Sequence, residues 1–169
     1  MIVTIAALLA LNDPTPLQQT LLGSWIGTLE YRDYSDDFRE RLGTLLRVSK
    51  DETSGRLVFR YVYDDGPNKV VQDSEQIDID LDHAKYSIFA PDSPTSDDYT
   101  IQSKRLKPDG TGAFVLIGKA KENSASVDIR ETITLSKDRL RILRESKLPG
   151  QDFKFRHEFM FTRVTAPKS

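Results

Sequence analysis

The chain has 169 residues, 38% of them apolar and 30% charged, with a net charge of −2 and no cysteine. That length suits one domain around one core. The charge balance leaves no electrostatic footprint for nucleic acid, and the lack of thiols excludes disulfides, thiolate catalysis and cysteine-ligated zinc.

Met1 to Leu11 reads MIVTIAALLAL. The run is too short to span a bilayer, so no transmembrane segment is expected. It has the length of a signal-peptide core, but no Lys or Arg precedes it and no clean small-x-small cleavage site follows. Two expectations stay open. One is a truncated or vestigial export signal, which favours a periplasmic or exported protein over a cytoplasmic one. The other is a short apolar helix packed on the domain. Asn12-Asp13-Pro14-Thr15-Pro16 is a breaker cluster, which sets residues 1–16 apart from a single domain over 17–165. Pro16 suits the first helical position of a short turn, Leu17 to Leu22, capped by Thr15.

Strands follow at Gly23 to about Tyr34, Leu42 to Lys50, Gly55 to Asp64, Lys69 to Asp80 and Lys85 to Ala90. The charged stretch Ser35 to Arg41 has no period and reads as a loop. Further strands run Asp98 to Lys107, Ala113 to Glu122, Ala125 to Ser136, Arg139 to Leu148 and Phe153 to Val164. About ten strands, short turns and no long helix predict an up-and-down antiparallel meander. Such a meander removes its exposed edges by closing, so the predicted fold is an all-β barrel.

Alternate strand residues share a face. In the last strand Phe153, Phe155, His157, Phe159 and Phe161 fall on one parity, and in the third Leu57, Phe59, Tyr61 and Tyr63 do. Trp25 and Tyr31 share a parity in the first strand. Asp73 and Glu75 fall on the inner parity of the fourth and are expected near the barrel mouth, where water reaches them.

Turn positions set the register. A two-residue loop at Lys137-Asp138 pairs Leu135 with Leu140, Ile133 with Ile142 and Glu131 with Arg144. A turn at Asn123-Ser124 pairs Leu116 with Glu131. A tight turn at Pro149-Gly150 sets Ser146 by Phe153, Arg144 by Phe155 and Ile142 by His157; a two-residue slip keeps the same inner face. Glu131 and Arg144 then meet as an opposed ion pair on a face of Ile and Leu. His157 lies within reach of Arg144, and Tyr61 and Tyr31 are contributors from other strands.

Three interpretations of this patch stand. A buried Glu–Arg pair serves a barrel that holds nothing, since removing one partner costs roughly 3–5 kcal/mol. A few placed polar groups among apolar walls orient a ligand. An acid–base pair catalyses. His157 by itself suits a hydrogen-bonded wall histidine more than a metal ligand, and the other histidine, His83, falls in a surface turn. A two- or three-histidine metal site is therefore unavailable. There is no phosphate-binding loop, dinucleotide fingerprint or nucleophile elbow.

Gly23-x-Trp25 opens the first strand of this meander, and Arg163 ends the last. In these features the chain resembles the lipocalin-like (calycin) superfamily, including uncharacterised bacterial lipocalin-like proteins, many of them exported. The resemblance implies that Gly23 and Trp25 mark the closed end of the barrel and that Arg163 packs across the indole, a cation–π contact of roughly 0.5–2 kcal/mol. The strand count is similar to that of nitrobindin-like barrels, in which a final-strand histidine ligates haem; His157 matches that position in outline.

The expected function is non-catalytic binding of a small apolar or amphipathic molecule. Phe155, Phe159 and Tyr61 would supply contact. Arg144, Glu131 and His157 would orient a polar end, with Arg144 favouring an anionic group. No cofactor is expected under that interpretation; haem on His157 is the alternative, and a packed, ligand-free barrel acting through its surface is the third.

Overall fold

The structure is a computed structural model, and it describes residues 13–33, 38–91, 93 and 95–165. Among these the chain forms one short helix and ten strands: α1 (Pro16–Leu21), β1 (Gly23–Arg32), β2 (Arg39–Lys50), β3 (Leu57–Asp64), β4 (Val70–Asp80), β5 (Lys85–Phe89), β6 (Ser96–Leu106), β7 (Gly112–Glu122), β8 (Ala125–Leu135), β9 (Arg139–Lys147) and β10 (Lys154–Arg163). Each strand pairs antiparallel with its neighbour in sequence, and β10 pairs with β1 to close the barrel. The apolar segment whose role the sequence leaves open, residues 1–12, lies outside the described residues. No helix among the described residues is long and apolar enough to cross a membrane.

The short turns fix most of the register. Asn123 and Ser124 both have positive φ, 47° and 67°, the backbone that a two-residue hairpin loop needs to match strand twist. They set Leu116 opposite Glu131, and Ser136–Arg139 closes the next hairpin so that Glu131 faces Arg144 and Ile133 faces Ile142. These are the pairs expected from the turn positions. The β2 strand starts at Arg39, earlier than expected, because Arg39 and Arg41 bind Glu30 on the neighbouring strand at 3.0 and 2.6 Å. The cross-strand ion pairs give a charged stretch a reason to extend.

Two features differ from the expected last hairpin. The turn at Pro149-Gly150 closes as expected, Gln151 N donating to Leu148 O at 3.0 Å, but pairing resumes with Ser146 opposite Lys154 rather than Phe153. In addition, β10 bulges: Phe155 pairs with Glu145, yet His157 pairs with Arg144, leaving Arg156 as an extra residue. A bulge inverts the alternation on one side of itself. His157, Phe159 and Phe161 keep the inner face, but Phe155 lies outside, under the Arg39 guanidinium at 4.0 Å. Phe153 is also outside, packed by Arg130 and Lys147. Arg156 takes the inward place and meets Glu122 at 3.4 Å.

One end of the barrel is the floor. Thr15 and Gln18 form a reciprocal capping box that starts α1, with Pro16 first in the helix. Leu17 and Leu21 are buried in the core, and Thr20 Oγ1 donates to Asp109 O at 2.8 Å, tying α1 to the turn before β7. Trp25 is fully buried and donates from Nε1 to Leu21 O at 3.0 Å. Arg163 lies 4.0 Å over the indole. Its three guanidinium nitrogens donate to carbonyls of Lys137, Leu22 and Thr20. Gly23 has φ 123°, and a Cβ there would stand 2.9 Å from Arg163 Nη1. Glycine opens β1 because both its backbone and its neighbour require it. Leu46, Leu57, Ile77, Phe114, Leu116 and Leu140 fill the space above the floor.

Candidate ligand site in the upper barrel

Above this apolar filling the inner face turns polar. A cavity of about 180 Å³ opens there. Phe59, Tyr61, Tyr63, Tyr86 and Phe159 provide its aromatic lining, and Ile88 and Ile142 its aliphatic lining. Asp73, Glu75, Glu131, Arg144 and His157 are the charged or titratable groups that reach it. The rings pack on one another: Tyr61 lies 5.3 Å from Phe159 and 5.9 Å from Tyr63, centroid to centroid, both stacked.

The polar groups form two linked sets. Arg144 Nη1 stands 3.8 Å from Glu131 Oε2, an ion pair beyond hydrogen-bond range. Its Nη2 donates to the Tyr99 hydroxyl at 3.3 Å. On the facing wall the Tyr61 hydroxyl donates to Glu75 Oε1 at 3.0 Å. Burial raises the Glu131 pKa above the usual carboxylate range, and Arg144 offsets that only in part. Burial, followed by the nearby Glu131 charge, pushes Glu75 up to about 7, with the Tyr61 hydrogen bond acting the other way. His157 moves oppositely. Burial lowers it to about 3, helped by the Arg144 and Arg156 charges, so its ring is neutral at physiological pH. No described residue hydrogen-bonds that ring; Phe159 meets it edge-on at 5.4 Å.

No family model matches the chain, and no curated protein does. Solved structures do match. An S-type phycobiliprotein lyase from Guillardia theta superposes with a TM-score of 0.59 at 13% identity, covering 89% of this chain and 92% of the lyase. A protein of unknown function from the DUF3598 family, from Nostoc punctiforme, gives 0.52 at 18% identity. That match covers 90% of this chain and 51% of the other. The fold is calycin-like.

Within the calycin-like barrel, Arg144, Glu131, His157, Tyr61 and Phe159 come together as expected from their strand parity. His157 sits directly opposite Arg144. Two expected members are elsewhere. Phe155 is turned outward by the bulge. Tyr31, which pairs with His157 across the seam, donates instead to Glu40 at 2.6 Å and lines a separate depression beside Leu29, Leu42 and Val71. Asp73 stays exposed near the mouth, as expected. Glu75 does not: it is half-buried, turned in between Tyr61 and Glu131. Its pairing with Phe59 in the middle of β3 was the available signal. Tyr86 and Tyr99, which the sequence pattern does not single out, face each other across β5 and β6. Their parity marked them, but short β5 gave little alternation to read.

Proposed function

We propose that the protein binds a small amphipathic molecule, without catalysis, in the upper half of its barrel. One observation carries this reading: the lower core is filled, while the upper core leaves a cavity with aromatic walls and a few converging polar groups. Ligand sites have that composition. At about 180 Å³ the space lies below the roughly 300–1,000 Å³ of drug-sized sites, so the molecule is small. The Arg144 guanidinium is shared between Glu131 and Tyr99, which weakens the case for an anionic head group.

Haem is a poor fit to these surroundings. Arg144 faces His157 in the register, Phe159 covers the ring edge, and the cavity is small. A second reading, proton transfer to or from the bound molecule, is supported by the half-buried Glu75, whose pKa of about 7 suits acid–base work at neutral pH.

Native mass spectrometry of the purified full chain tests the main proposal. A discrete adduct of small mass is expected, and Ile88→Trp, which fills the cavity, should abolish it. An adduct that survives this substitution places binding elsewhere. A product of altered mass appearing with time would favour the second reading.

A further inference from the structure

The site's hydrogen-bond inventory is unbalanced, and this bears on what it holds, provided the internal-site reading is right. Glu131 is only 7% exposed, yet among the described residues nothing donates a hydrogen bond to its carboxylate. The guanidinium that could do so stands 3.8 Å away, with its other nitrogen turned to Tyr99. Glu75 accepts from Tyr61 at Oε1, and no described donor reaches its second oxygen. Ionised carboxylates are acceptors only. The cavity therefore presents carboxylate oxygens that its own spare donors, the neutral His157 ring and the Tyr63 and Tyr86 hydroxyls, do not reach.

Charge points the same way. Asp73, Glu131 and Glu75, the last with a pKa of about 7, line the space against one guanidinium, Arg144, while His157 is neutral. A metal ion does not answer this arrangement: among the described residues no group of three His, Asp or Glu side chains converges closely enough to hold one.

We propose that the cavity selects a small organic cation, a protonated amine on an apolar body, over neutral or anionic molecules of the same size. The ammonium sits between Glu131 and Glu75, where its N–H donors meet acceptors that have none. The apolar body lies against Phe159, Ile142 and Ile88. The cation also favours the ionised form of Glu75, which burial first and the Glu131 charge second disfavour in the empty cavity.

Calorimetric titration of the full chain near neutral pH with benzylamine, benzyl alcohol and benzoate tests this. These probes share a ring and differ in charge. Benzylamine should bind at least about tenfold more tightly than the alcohol, and benzoate more weakly still. Glu131→Gln and Glu75→Gln should each remove most of the amine's advantage and leave the alcohol's affinity in place; using both keeps the test valid if one variant misfolds. Equal affinity for amine and alcohol, or a preference for benzoate, overturns the charge selection and leaves the internal site standing. Binding of none of the three overturns the internal site as well. Amine binding that persists in Ile88→Trp overturns its location.

Discussion

Glu75 and His157 store opposite pH dependences in one cavity. Glu75 has a folded pKa of about 7, above its ordinary 4.5. Between these values the native chain holds the extra proton, so the stability that Glu75 contributes is whole below 4.5 and is lost as pH rises toward 7. His157 has a folded pKa of about 3, below its ordinary 6.5. There the unfolded chain takes the proton, so stability is whole above 6.5 and is lost as pH falls toward 3. The two slopes oppose each other between 4.5 and 6.5. Removing one should expose the other. Relative to wild type, Glu75→Gln should gain stability as pH rises across this window, and His157→Gln should lose it, each by up to about 1.4 kcal/mol per pH unit. Urea unfolding at a series of pH values measures both. Curves parallel to wild type would show that neither group is shifted.

At the scale of elements, Arg163 joins the α1 segment to the β8–β9 turn. It binds carbonyls of α1, of the residue after it and of the β8–β9 turn, and it covers Trp25. A lysine keeps the charge but has no planar fork to reach three acceptors. Arg163→Lys should cost roughly 2–4 kcal/mol in urea unfolding. A loss under half a kcal/mol would mean that the floor holds without it. How much of these elements could be read from sequence depended on the turns. Asn123-Ser124 and Lys137-Asp138 are two-residue loops between long alternating strands, so Glu131 and Arg144 could be placed opposite each other from spacing alone. The Gly-x-Trp start and the Thr15 cap were legible for the same local reason. The bulge was not. Phe153, Phe155, His157, Phe159 and Phe161 alternate without a break, and nothing in that pattern marks Arg156 as the extra residue. What re-aims the strand is tertiary: Arg156 finds Glu122 within the mouth, while Phe155 finds Arg39 outside. Glu75 reads from sequence as a mouth residue because a carboxyl on an inner parity belongs there unless something deep accepts it, and Tyr61 does so from another strand.

For the molecule as a whole, closure depends on the seam between the first and last strands. Gly27 pairs with Phe161 there, and a Cβ at Gly27 would stand 1.9 Å from Met160 O. The obstruction is backbone, so no rotamer change relieves it. Gly27→Ala should destabilise the barrel by about 2–3 kcal/mol or more, read from the urea midpoint. An unchanged midpoint would mean that the seam can widen without penalty. The arrangement of rings between the two ends has an optical consequence. The only tryptophan lies at the floor, three of the six tyrosines line the cavity and a fourth bonds Arg144 beside it. Light absorbed by those phenols can pass to Trp25 as its single acceptor. An occupant that reorients Tyr61 or Tyr63 would alter the indole emission excited through tyrosine and leave direct indole excitation unchanged, so the unlabelled chain carries its own reporter of occupancy.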